Sequence, residues 1–141
     1  MTSSKFTHLL PADAQLMAAF LELYPDRYNF IDYDIKVGVG RDPGPAYSDH
    51  IRKMAVHLSQ RRIDAVGTAP NFIELIEITT SAGLTALGQL QAYPILYLQT
   101  YLTSLPVLPL LLTYGFQSDM EHVYRENAIP FIIIPRPGSQ S

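Results

Sequence analysis

Asp64 and Glu77 are the residues of this chain best suited to chemistry. Glu77 lies in the apolar run Phe72-Ile-Glu-Leu-Ile-Glu-Ile-Thr79, where a carboxylate costs several kcal/mol unless it has a partner or a cation. Asp64 lies in the preceding segment, Arg61-Arg62-Ile-Asp-Ala-Val-Gly67. A tight turn over Thr68 to Asn71 makes the two segments an antiparallel hairpin, which can carry Asp64 across from Glu77. Two carboxylates converging from adjacent strands suit a hard cation such as Mg²⁺ or Mn²⁺. The alternative is structural: Asp64 pairs with Arg61 or Arg62, and Glu77 finds a hydroxyl or a helix end. Further along, Gln89 and Tyr93 are four residues apart and share a helix face, from which an amide can position a water or a phosphate. Glu22, near the end of the first helix, is a third acid that could join them.

These side chains need elements to hold them. Pro11 to Tyr24 reads as a helix from the recurrence of Leu16, Ala19, Phe20 and Leu23, and Pro25 ends it. Phe30 to Val39 alternates as a strand, with Ile31, Tyr33, Ile35 and Val37 on one face and Asp32, Asp34 and Lys36 on the other. Gly38 to Pro45 is a loop whose glycine spacing matches no phosphate-binding fingerprint. His50 to Ser59 is ambiguous between a helix and the start of a strand. Strands over 61–67 and 72–79 follow, then a helix from Gly83 towards Leu102 that Pro94 should bend. Val107 to Thr113 is a strand covered on both faces, Asp119 to Asn127 a helix, and Phe131 to Ile134 a last short strand. The expected organisation is an arm over residues 1–10, one α/β domain over 11–134 and a tail over 135–141.

Read in order, Arg-Arg-Ile-Asp64-Ala-Val, Phe-Ile-Glu-Leu-Ile-Glu77-Ile-Thr79 and Ala-Leu-Gly-Gln89-Leu-Gln-Ala-Tyr93 resemble the PD-(D/E)XK, or restriction-endonuclease-like, superfamily in its RecB-like branch. The resemblance spans roughly Ala12 to Thr113. It implies a core of helix, three-stranded antiparallel meander, helix and strand, here with an extra C-terminal helix and strand. It implies that Asp64 and Glu77 are metal ligands, that Gln89 and Tyr93 are the helix pair, and that Glu22 is the first-helix acid. The chain departs from the family where the catalytic lysine belongs: Thr79 stands there. A threonine carries no positive charge and cannot offset charge developing on a phosphate. Lys36 and Lys53 are the lysines that could migrate into that role.

The resemblance therefore implies a nuclease fold with a degenerate site, serving as a structural or assembly module. Similar small domains occur among tailed-phage virion proteins, which suggests a neck or head-tail component. The other reading is a Mg²⁺-dependent deoxyribonuclease. The degenerate form would need no cofactor; an active one would need Mg²⁺ or Mn²⁺.

Composition narrows the partners. The net charge of −3 excludes a strongly basic nucleic-acid coat but leaves a local strip of Arg52, Lys53, Arg61 and Arg62, which could hold DNA weakly. With no cysteine there is neither a disulfide framework nor a thiolate metal site. His8, His50, His57 and His122 are too scattered to form a close metal spacing. No basic segment followed by an apolar run opens the sequence, so the expected location is the cytoplasm or a virion. Not one Asp, Glu, Lys or Arg occurs from Ile78 to Ser118. Polar residues and prolines interrupt the apolar part of that stretch, which argues against a membrane span. Tyr93, Tyr97 and Tyr101, at four-residue spacing within it, are a candidate interface for a homo-oligomer or for partner proteins in a larger assembly.

Overall fold

The computed structural model describes residues 9–138. Most of the expected arm (1–8) and the end of the tail (139–141) lie outside the described residues. The elements are α1 (Pro11–Leu23), β1 (Phe30–Val37), α2 (Asp49–Ser59), β2 (Arg61–Thr68), β3 (Ile73–Thr79), α3 (Leu84–Thr100), β4 (Val107–Thr113), α4 (Met120–Glu126) and β5 (Phe131–Ile133). The ambiguous segment after the glycine loop is thus a helix, begun by the Ser48 side chain accepting from the Ile51 amide. Among the described residues no helix is long and apolar enough to cross a membrane.

One sheet runs β1-β2-β3-β4-β5. β1, β2 and β3 form an antiparallel meander, and β4 and β5 add parallel to it. The parallel step from β3 to β4 needs a crossover, and α3 supplies it. Two apolar layers result from strand alternation. Ala65, Ile76, Ile78, Leu110 and Leu112 pack against Leu16, Met17 and Phe20 of α1. On the opposite face Val66, Ile73 and Leu75 pack with Tyr93, while Leu111 meets Ala86, Leu87 and Leu90 of the same helix.

β1 breaks its expected alternation. Ile31 and Tyr33 pack in the α1 layer, whereas Ile35 and Val37 pack in the α3 layer. The register with β2 is the same on either side of Asp34, Tyr33 opposing Ala65 and Ile35 opposing Ile63, so both strands change face together. Asp34, at the crossover, has φ +56°, and an Asp accepts that left-handed conformation more readily than most residues. The regular pattern with every β1 apolar residue on one face is therefore incorrect. The turnover lies beside Asp64.

Candidate functional site

The β2–β3 ladder runs from Thr68 opposite Ile73 to Ala65 opposite Ile76. Beyond it the carboxylate of Asp64 takes over a backbone role, its Oδ2 accepting from the Ile78 amide at 2.9 Å. Glu77, 8% exposed, stands beside it, close enough for each carboxyl to act on the other's ionisation. Glu77 Oε1 is buried and has no hydrogen-bond partner. The hairpin has brought the two acids together, as their segments predict.

Their surroundings are unusual for a pair of acids. Burial is the main influence on both, raising Asp64 to about 6 and Glu77 to about 9; for Glu77 the nearby Asp64 charge adds to it. Asp13 on α1 pushes both upward, and Asp34 pushes Asp64 upward. The charged neighbours acting on the pair are thus acids, and the pair behaves as one unit that retains a proton.

The α1 acid that acts on the pair is Asp13. Glu22 is exposed near the other end of α1, roughly 13 Å away along the axis at 1.5 Å per residue. The signal for Asp13 is present in the sequence. It continues the buried stripe of Leu16, Met17 and Phe20 backwards at three-, four- and seven-residue spacing, whereas Glu22 does not. Glu22, expected to join the pair, is not among the groups acting on it.

Gln89 and Tyr93 approach the acids from α3. Tyr93 is buried and its hydroxyl donates to the Arg62 carbonyl at 2.9 Å, while Gln89 lies near enough to act on the phenol. Burial, with the nearby Glu77 and Asp64 charges, raises the phenol well above its ordinary range. The tyrosine series turns from buried Tyr93 to exposed Tyr101. Tyr97 is half-buried and packs tilted against Tyr101 with ring centroids 4.9 Å apart, while the Tyr101 hydroxyl donates to the Lys36 carbonyl at 2.7 Å. Tyr93 is consequently unavailable as an outward interface residue. The apolar groups that α3 does expose are Leu84, Ile95 and Leu98.

Neither migrant lysine is among the groups acting on the pair. Lys36 opposes Arg62 across the β1–β2 ladder, and Lys53 lies exposed on α2. Thr79 turns its hydroxyl to the Ser81 carbonyl at 3.3 Å. Of the basic strip, Arg52 is clamped to Asp42 through Nε–Oδ1 at 3.0 Å and Nη2–Oδ2 at 2.8 Å. Arg62 approaches Asp34 at 3.5 Å rather than Asp64, and Arg61 and Arg62 are exposed. Arg52 and Arg62 therefore already face carboxylates, and Arg61 and Arg62 open the β2 strand of the hairpin.

The oxygen donors fit a hard cation only in part. Two carboxylates can hold Mg²⁺ when water and a substrate phosphate complete the shell. Among the described residues no group of three or more His, Asp or Glu is placed to hold a metal.

No protein-family model matches the chain, and no curated protein resembles it significantly in sequence. Among solved structures, that of an EndoMS–dsDNA2 complex is similar, at 15% identity and a TM-score of 0.50. The superposition covers 92% of this chain and 47% of the other, so this chain spans about half the length of that protein. The likeness is one of fold. The helix, antiparallel meander, crossover helix and parallel strand form a restriction-endonuclease-like core, with α4 and β5 added at its end.

Proposed function

We propose that the chain is a nuclease-fold domain without effective hydrolytic chemistry, acting as a structural or assembly module. The observation that carries this reading is the acidic environment of Asp64 and Glu77 combined with Thr79 at the lysine position. Phosphodiester hydrolysis develops negative charge on the phosphoryl oxygens and needs a cationic group to stabilise it. Adding a phosphate to a site whose neighbours are Asp13 and Asp34 without such a group works against that need. Exposed apolar residues on two helices, Leu84, Ile95 and Leu98 on α3 with Ile51, Met54 and Leu58 on α2, support a role in protein contacts. A neck or head-tail position in a tailed-phage particle is the setting suggested by the family resemblance.

The runner-up is a Mg²⁺-dependent deoxyribonuclease, favoured by the convergence of Asp64 and the unpartnered oxygen of Glu77. Supercoiled plasmid incubated with the chain and Mg²⁺ or Mn²⁺ separates the two. We expect no nicking above that of a Glu77→Ala control. Metal-dependent nicking lost in that control would establish the nuclease reading. Thr79→Lys, which restores the absent charge, is the constructive counterpart.

A further inference from the structure

Helix α3 has two unlike sides. Ala86, Leu87, Leu90 and Tyr93 are buried against the rest of the fold. The opposite side carries Leu84, Gly88, Gln91, Ile95 and Leu98, all exposed, and Leu102 follows fully exposed just past the helix end. These residues recur at alternating intervals of four and three, the spacing of a seam along which two helices pack. No residue of α3 carries a formal charge. The other exposed apolar stripe, Ile51, Met54 and Leu58 on α2, shares its helix with Asp49, Arg52 and Lys53.

Gly88 interrupts the seam, and nothing within the described residues accounts for it. Glycine inside a helix is unfavourable relative to alanine. A Cβ at this position would meet nothing within 4 Å, so neither packing nor backbone geometry demands its absence. The gap is a notch facing outward. Gln91, the polar member of the stripe, donates to Asn127 Oδ1 at 3.0 Å and so has a partner beside the seam.

Reversed on itself, the stripe is complementary. A second α3 laid antiparallel, with the two-fold axis level with Tyr93, sets Leu98 of the copy over Gly88 and Ile95 of the copy beside Gln91. Each copy thus fills the other's notch once. A parallel pair would set Gly88 against Gly88, leaving a void, and would align the two helix dipoles. A copy also brings no charge to a face that has none, so no ion loses its water on contact. A 17-residue helix is about 25 Å long and about 10 Å across, so this contact covers less than the roughly 800 Å² per partner of a standard interface. It therefore suits a dimer that forms at micromolar concentrations and above.

We propose that the outer face of α3 binds a second copy of this chain as an antiparallel helix pair, with Leu98 of each copy seated on Gly88 of the other. The pairing deepens the assembly reading and rests on it. Plasmid nicking would overturn the non-catalytic reading at any molecular mass, whereas a chain that stays monomeric without nicking would overturn the pairing alone.

The test is sedimentation velocity of the full chain from about 5 to about 500 µM. The expected result is a shift from monomer to dimer across that range. Leu98→Lys should weaken association by about tenfold or more, and should leave the melting temperature of the dilute chain unchanged because Leu98 is exposed. Gly88→Gln should act with opposite signs. The dilute chain should melt a few degrees higher from better helix propensity, and should dimerise less because the notch is filled. The chain contains no cysteine, so oxidation of introduced ones reads the register. Gly88→Cys combined with Leu98→Cys should crosslink two copies. Leu98→Cys alone should not, since its counterpart lies about 15 Å away along an antiparallel pair. Crosslinking by Leu98→Cys alone would overturn the antiparallel order. A chain still monomeric at about 500 µM would refute the pairing and leave the stripe to a different protein. A dimer lost in Met54→Lys but kept in Leu98→Lys would refute it too, by moving the contact to α2.

Discussion

Strand β3 carries two buried glutamates three residues apart, Glu74 at 6% and Glu77 at 8% exposure, and the fold treats them oppositely. Glu74 faces the α1 layer and meets Arg27, whose Nε and Nη2 each donate at 2.9 Å to a different carboxylate oxygen. The Tyr28 hydroxyl donates to Glu74 Oε1 at 2.5 Å, and its ring lies where a Cβ on Gly67 would clash. Arg27 is further held over the rings of Phe20, Tyr24 and Tyr28. Glu77, on the other face, has another acid as its partner and one oxygen with none. Burial is similar, so the partner decides the outcome. A carboxylate with a bidentate arginine fastens the chain between α1 and β1 to the sheet. A carboxyl placed among acids costs stability, and such sites are where function is found when it survives.

The largest expected effect lies on the fastened side. Glu74→Ala leaves Arg27 without its partner and should destabilise the fold by about 3 kcal/mol in urea unfolding, as loss of one member of a buried pair does. A loss below about 1 kcal/mol would mean that the clamp is ornamental and would erase the contrast with Glu77.

Glu77→Gln should act in the opposite direction. The folded pKa values of Asp64 and Glu77 are raised above the unfolded ones, so at intermediate pH the unfolded chain binds fewer protons. The pair's contribution to stability is full below the ordinary carboxylate range and is lost as pH rises through about 6 and then about 9. The native protein should therefore weaken from pH 5 to pH 8. Glu77→Gln removes one ionisable group of the pair, should flatten that slope, and should gain about 2 kcal/mol at pH 8. Thermal melts across that range check both parts.

Two smaller effects sharpen the contrast. Asp13→Asn removes one of the acids acting on the pair and should lower the Asp64 titration midpoint, read by carboxyl NMR, with a stability gain of about 0.5 kcal/mol. Glu121 and Arg125 on α4 also form an ion pair, at 2.8 Å, but both side chains are largely exposed. Glu121→Gln should change stability by less than about 0.5 kcal/mol. The same chemistry as Arg27–Glu74 thus counts for little without burial.

Much of this arrangement is legible in the residues. The alternation of β3 separates Glu77 from Ile76 and Ile78, and the tight turn carries Asp64 to Glu77, because strand period and hairpin geometry are local properties. Apart from α2, whose residues are ambiguous between helix and strand, the elements fall in the expected order for the same reason. What escapes a reading of the sequence depends on contacts distant along the chain or on one backbone angle. Arg27 and Glu74 are 47 residues apart, and nothing local in either announces the other. The positive φ of Asp34 reverses the faces of Ile35 and Val37 without disturbing their apolar alternation. The tyrosines of α3 resemble an outward stripe because an uncharged helix does not reveal which side meets the sheet. Asp13 is readable from the α1 stripe, yet its short side chain in a first turn resembles an ordinary helix-start acid.

Glu77, with acids rather than an arginine acting on it, should keep its proton where Glu74 keeps an arginine. Carboxyl-carbon NMR of Glu77, followed from about pH 4 to about pH 10 without divalent metal, tests this directly. The expected result is a Glu77 carboxyl still protonated at neutral pH, with a midpoint well above that of Asp64. A Glu77 carboxyl already ionised at pH 5 would contradict it.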